Sequence, residues 1–178
     1  MELWDIGDGQ SMADVEPVSL PQRHGEGRIR AAVELPDGRI MSIGNEPEIR
    51  VWDPFDPSGD SEVFASHPQN PLLLTILADG RIATAGRDQV INIWSESGEL
   101  EVELPGHRTN IFDLDQLADG RLVSTSFDGT LRIWDISDPE NVTQEASDFG
   151  LAGKVTLLGD GRMAMGLGNG WVELEIEQ

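Results

Sequence analysis

Residues 117–135 read LADGRLVSTSFDGTLRIWD, and the same order of residue types returns three more times along the chain. It is found as LPDGRIMSIGNEPEIRVWD at 35–53, LADGRIATAGRDQVINIWS at 77–95 and LGDGRMAMGLGNGWVELEI at 158–176. The Asp-Gly-Arg glycines Gly38, Gly80, Gly120 and Gly161 stand 42, 40 and 41 residues apart, and Trp52, Trp94 and Trp134 keep the same step. A fixed period of this length marks a repeat architecture. Within a unit the pattern is that of β-structure. Ile-Ala-Thr-Ala (82–85) and Leu-Val-Ser-Thr (122–125) are short β-prone segments, and 90–94 and 130–134 alternate with the period of two that a pleated strand requires. Asp-Gly pairs at 37–38, 79–80, 119–120, 128–129 and 160–161 supply residues that accept positive φ in tight hairpins. No stretch holds helical apolar spacing, and Gly and Pro interrupt the chain often.

Four short strands per unit of some 40 residues predict an all-β fold of propeller blades, each a four-stranded antiparallel sheet. Such a sheet cannot bury both faces alone, so neighbouring blades must stack. The units divide the chain into 1–22 (a leftover third-type strand, Leu3-Trp4-Asp5, and an outer strand), 23–66, 67–106, 107–147 and a degenerate 148–178. The stretch with Gly106-His107, Leu117 to Arg121, Ser124, Asp128-Gly129-Thr130 and Ile133-Trp134-Asp135 resembles a complete WD-repeat. Counting the copies in register, the resemblance covers roughly residues 24 to 176.

The WD-repeat resemblance implies a buried hydrogen-bonded chain of Trp, Ser or Thr, His and Asp in every blade. The third unit carries Trp134, Ser124, His107 and Asp128; the second carries Trp94, Thr84, His67 and Asp88. In the first, Trp52 and Ser42 fit, His24 sits one residue early, and Glu46 replaces the Asp. The fourth has lost the set, with Asp148, Met165, Asn169 and Glu175 at those positions, so apolar packing and strand ladders alone must hold it. A nucleophilic triad also strings Ser, His and Asp together. An enzyme, however, needs one constellation in one accessible pocket, whereas this chain repeats the set. A satisfied buried polar chain that fixes strand geometry explains the spacing better.

Composition narrows the functions. The 178 residues include 12 basic and 33 acidic side chains, a net charge of −21, with Lys154 the one lysine among eleven arginines. Nucleic acid and anionic lipid are bound by cationic patches, so neither is an expected partner. With no Cys, disulfides, thiolate metal sites and Cys nucleophiles are excluded. The three histidines are not at ligand spacing, and the acidic loop Asp53-Pro54-Phe55-Asp56-Pro57-Ser58-Gly59-Asp60 lacks the twelve-residue calcium-loop pattern, so no metal or cofactor is expected. The glycines of 166–170 do not open a helix and read as a turn between strands, not as a phosphate cradle. The N-terminal residues lack a basic-then-apolar signal, and a cytoplasmic protein is the expectation.

WD-repeat proteins commonly bind through one rim, with residues just before the Asp and just after the His of each blade. Mapped here, these are Asn45, Arg87, Phe127 and Gly168, and the pairs Arg28/Arg30, Asn70/Leu72, Asn110/Phe112 and Leu151/Gly153. Phe127 in a Ser-Phe-Asp-Gly turn has no local packing reason, and Arg28, Arg30 and Arg87 gather scarce cations on one rim. Aromatic and Arg residues are the usual interface anchors. The candidate partner site is therefore Arg28, Arg30, Leu72, Arg87, Asn110, Phe112 and Phe127, suited to an acidic-plus-apolar peptide. The expected function is a non-catalytic scaffold for protein–protein interaction. The fourth unit carries no outer strand of its own and residues 13–20 offer an unpaired one, so a homodimeric ring, or completion by another propeller chain, is an alternative. An enzyme or small-molecule binder would need convergent acids, bases or ligands at one end of the channel, and no such cluster is visible in the sequence.

Overall fold

The first three Asp-Gly-Arg triplets each close a hairpin. Gly38, Gly80 and Gly120 have φ of +85°, +88° and +94°, a region that L side chains avoid. Around Gly38, Leu35 N–H donates to Arg39 O at 2.7 Å and Gly38 N–H to Leu35 O at 2.9 Å; residues 77–81 and 117–121 repeat both bonds. The aspartate locks the turn from outside, accepting the Arg backbone N–H and Nε, at 3.0 and 2.8 Å for Asp37 and Arg39. The repeated triplet is thus a turn that carries its own ion pair.

A computed structural model describes residues 2–3, 18–19, 28–56, 58–150, 153–158, 162–167 and 170–175. Among these, three sheets have four antiparallel strands in chain order. Blade one is Ala31–Glu34 (β3), Ile40–Ile43 (β4), Glu48–Trp52 (β5) and Ser61–Ser66 (β6). Blade two is Pro71–Ile76 (β7), Ile82–Gly86 (β8), Val90–Trp94 (β9) and Leu100–Pro105 (β10). Blade three is Ile111–Gln116 (β11), Leu122–Ser126 (β12), Thr130–Asp135 (β13) and Thr143–Asp148 (β14). Blade four has three described strands, Val155–Leu157 (β15), Arg162–Leu167 (β16) and Gly170–Glu175 (β17). Near the start, Glu2–Leu3 (β1) pairs with Val18–Ser19 (β2). This corrects the expectation of an unpaired strand within 13–20, since two extended segments joined by one chain satisfy each other's backbone groups.

Alternation along the strands sends successive side chains to opposite blade faces. In blade two, Ile82 and Trp94 face blade one, packing with Met41, Ile43, Ile49 and Val51. Their neighbours Ala83, Ala85, Ile91 and Ile93 face blade three, against Ile111, Leu114, Leu122 and Trp134. A third core joins Leu117, Val123 and Leu131 of blade three to Val155, Met163 and Met165 of blade four. The hydrophobic core therefore lies in the seams between blades. Each fully buried Ile or Leu there contributes about 1.5–3 kcal/mol.

Blade four departs from the aligned sequence by one residue. Leu122 pairs with Trp134 in blade three, but the corresponding Met163 pairs with Leu174, and Met165 pairs with Val172. Leu174, not Glu175, therefore stands in the indole position. Gly166, Leu167 and Gly170 belong to strands, with Gly166 paired to Trp171 and Leu167 to Gly170, so the glycine-rich stretch is not all turn. The expected Asn169 lies outside the described residues, and Asp148 ends β14 with its carboxylate accepting Gly150 N–H.

Candidate interaction surface

The polar chain of blade three runs from indole to carboxylate. Trp134 Nε1–H donates to Ser124 Oγ at 2.8 Å, and Ser124 Oγ lies 2.8 Å from His107 Nε2. His107 Nδ1 is 3.2 Å from Asp128 Oδ2. With the indole proton already on Ser124 Oγ, the hydroxyl donates onward to Nε2, leaving the imidazole neutral with its proton on Nδ1 toward Asp128. Burial pushes the His107 pKa down, and the hydrogen bond and charge of Asp128 do not overcome it. For Asp128 itself, burial pushes upward, but it is outweighed by donors from Thr130 Oγ1, Arg108 N–H, Thr130 N–H and His107, which together hold the carboxyl well below its ordinary value. The order of groups is that of a triad, yet Ser124 is 1% exposed and sits under the indole.

Blades two and one are wired differently. Trp94 Nε1–H donates to Thr84 Oγ1 at 2.8 Å, but the ring of His67 turns to Asn92, whose Nδ2–H reaches Nε2 at 2.7 Å. His67 Nδ1–H points to Gln69 O at 2.6 Å, with Asp88 Oδ2 at 3.5 Å. The continuous Trp–Thr–His–Asp chain expected from the sequence is therefore split in two. Register explains it: Asn92 lies opposite Thr84 as Arg50 lies opposite Ser42 and Arg132 opposite Ser124, and only the short amide reaches inward to the ring. In blade one Trp52 Nε1–H donates to Ser42 Oγ at 2.5 Å, while Glu46 Oε1 is buried with no hydrogen-bond partner. His24 lies outside the described residues.

These clamps position the rim. Asp128 accepts Arg108 N–H at 2.8 Å, and Phe127 N–H donates to Asn110 O at 3.2 Å, tying the loop that enters β11 to the β12–β13 turn. There Phe127 stacks on Phe112 with ring centroids 4.8 Å apart, and it still remains 70% exposed. One blade earlier, a 210 Å³ hollow spans blades one and two, lined by Arg30, Gly44, Asn45, Asn70, Leu72 and Arg87. Arg30 Nε–H donates to Asn45 Oδ1 at 2.7 Å, and Asn70 Nδ2–H to Asn45 O at 2.5 Å. Among the described residues no carboxylate lines this hollow, in a protein with a charge of −21. Most other described arginines are paired: Arg39 with Asp37, Arg50 with Glu48, Arg81 with Asp79, Arg121 with Asp119 and Arg162 with Glu173.

Of the residues singled out by sequence, the structure brings Arg30, Leu72 and Arg87 together in one group and Asn110, Phe112 and Phe127 in another. Arg28 is exposed and outside the hollow. Asn45 and Asn70 complete the first group. Both stood at rim positions of the repeat, but an amide carries no charge signal to pick it out. In the acidic loop, Asp53 and Asp56 cap their own turns, accepting Phe55 N–H and Ser58 N–H at 2.8 Å each.

Residues 98–135 match the WD40 family, described as WD domain, G-beta repeat. No curated protein matches the chain by sequence. Among solved structures, the chain resembles the WD40 repeats of RRP9 (TM-score 0.63, 22% identity), covering 80% of this chain and 46% of that one. It also resembles the WD40 β-propeller domain of Doa1 (0.69, 18%, covering 82% and 49%). A third is the computationally designed Ika4 protein (0.72, 21%, covering 89% and 96%). The chain thus spans about half the length of the first two. Residues 98–135 thus match a WD40 repeat, and the described blades have the fold of a WD40 β-propeller.

Proposed function

We propose that this protein is a non-catalytic scaffold that binds a protein partner through the rim formed by Arg30, Leu72 and Arg87 together with Asn110, Phe112 and Phe127. The observation that carries this reading is the exposed Phe112–Phe127 ring pair on the same rim as two arginines that no described carboxylate engages. An acidic group facing Arg30 and Arg87, followed by an apolar side chain on Phe127, matches that chemistry. Against catalysis stands the Ser124 hydroxyl, roofed by the indole and closed to substrate. Capped peptides that alternate Glu with Leu or Phe, titrated against the full chain, test the rim. Arg87→Ala and Phe127→Ala are each expected to weaken binding by about tenfold. Unchanged affinity in the double variant contradicts the reading.

A second reading concerns assembly, and blade four favours it. Trp171 is 69% exposed and pairs with Gly166, at the register position where Leu131 of blade three lies buried under blade four. That outward face has the make-up of a seat for a further blade, from a second copy of the chain or from another propeller chain. Light scattering tests it: a mass above that of one chain is expected, and a well-behaved monomer of 19.4 kDa contradicts it.

A further inference from the structure

At the end of the blades opposite the rim, where the Asp-Gly-Arg turns lie, two seams built to the same plan are filled differently. Between blades two and three, Ile136 and Val102 are 1% and 7% exposed and belong to the shared core. Gln116 bridges the same seam, accepting Ala78 N–H at 2.7 Å and donating to Gly120 O at 3.0 Å. Register identifies the matching positions one blade earlier. Val51 pairs with Glu62 as Ile93 pairs with Val102, Glu96 follows Trp94 by two residues as Ile136 follows Trp134, and Ile76 takes the place of Gln116.

Two carboxylates therefore stand where the next seam has buried aliphatic side chains. Lone carboxylates resist burial, so both remain exposed at the mouth and a cavity of about 530 Å³ is left behind them. Its floor is apolar, with Met41, Val51, Phe64 and Ile82. Glu96 lies over Gly80, its Oε1 in the space a Cβ would take, so the glycine makes room for the acid. Arg39 at the edge is already engaged by Asp37, and neither the Glu62 nor the Glu96 carboxylate has an ion pair or hydrogen bond with a described residue. The volume falls within the roughly 300–1,000 Å³ of ligand pockets, and an apolar floor with a few convergent polar groups is their usual make-up.

We propose that the blade one–blade two seam is a second binding site, which takes a partner peptide by burying one apolar side chain on Met41, Val51 and Ile82 while an adjacent Lys or Arg pairs with Glu62 and Glu96. A basic segment is drawn by a molecule of net charge −21. The two ends of the blades then prefer opposite charges: acidic segments at the rim, basic ones at the seam.

The test uses the full chain and three capped probes: acetyl-Gly-Leu-Arg-Leu-Gly-amide, its Arg→Glu counterpart and its double Leu→Gly counterpart, titrated by NMR. The Arg probe is expected to bind and to shift resonances of β4 and β5, and the other two to bind more weakly. Glu62→Gln with Glu96→Gln, which keep the shape, should weaken the Arg probe by about fivefold. Glu96→Ile, copying Ile136, should fill the cavity, raise the melting temperature and abolish binding. Equal binding of the Glu probe, no binding of any probe, or an unaltered affinity in Glu96→Ile overturns the proposal. So does binding lost in Arg87→Ala or Phe127→Ala but kept in Glu96→Ile, and so does a dimer that Glu96→Ile dissociates, which would make the occupant a second copy. The rim variants test the other site, so the two readings fail separately.

Discussion

At the scale of single residues, the two best-formed polar chains differ in what one deletion orphans. Removing the Ser124 hydroxyl strands both the Trp134 N–H and the His107 Nε2, whereas removing that of Thr84 strands the Trp94 N–H alone, because Asn92 holds His67. Each buried orphan costs about 1–3 kcal/mol. Ser124→Ala is therefore expected to destabilise by about 3 kcal/mol and Thr84→Val by about half as much, read as the shift in a urea unfolding midpoint. Protonation acts on the same groups. The pKa values of His67 and His107 are both lowered by burial, so the unfolded chain takes up protons first as the pH falls. Stability is complete above the ordinary histidine value of 6.5 and is lost as the pH drops below it. Asp128, held low, adds a second loss below 3.8. Urea midpoints measured between pH 8 and pH 3 should decline in that order. The spacing of His, Ser or Thr, Asp and Trp was plain in the sequence. The diversion of His67 to Asn92 was not, since it depends on which side chain lies across the ladder.

Among the strands and turns, the sequence was most explicit where geometry demands a particular residue, as at Gly38, Gly80 and Gly120 in the Asp-Gly-Arg turns. Gln89 breaks that rule. It stands one residue past Asp88, where blade three has Gly129, and adopts φ of +69° against +87° for the glycine. A side chain in the left-handed region costs about 1–2 kcal/mol, partly offset by the flexibility that glycine adds to the unfolded chain. Gln89→Gly should stabilise the protein by about 0.5–1 kcal/mol, measured as a raised melting temperature; a lowered one contradicts the turn geometry. Blade four was harder to read. Its Trp stands at the start of the third strand instead of near the end, so the alignment slipped by one, a slip that only the Met163–Leu174 pairing reveals.

Over the whole molecule, the repeat dictates where the core lies: the second strand of an inner blade serves two seams, so every residue of β8 and β12 is buried. That much was legible, because period-two strands at a 40-residue step admit few other arrangements. The residues of the proposed rim could be picked out only in part. Phe127 and Arg87 could be singled out, but their grouping with Phe112 and Arg30 depends on how loops meet across blades. The open seam at Glu62 and Glu96 was invisible, since two acids among 33 carry no signal until register places them where Val102 and Ile136 would be. Everything functional rests on the imidazoles being struts inside separate blades, which leaves the loops free to serve as binding surface. Side-chain ¹⁵N NMR across a pH titration tests that most directly. Neutral His67 and His107 rings with the proton on Nδ1, both titrating below 6.5, are the expected result. Rings that titrate at or above that value, as water-exposed or substrate-facing imidazoles do, would contradict it.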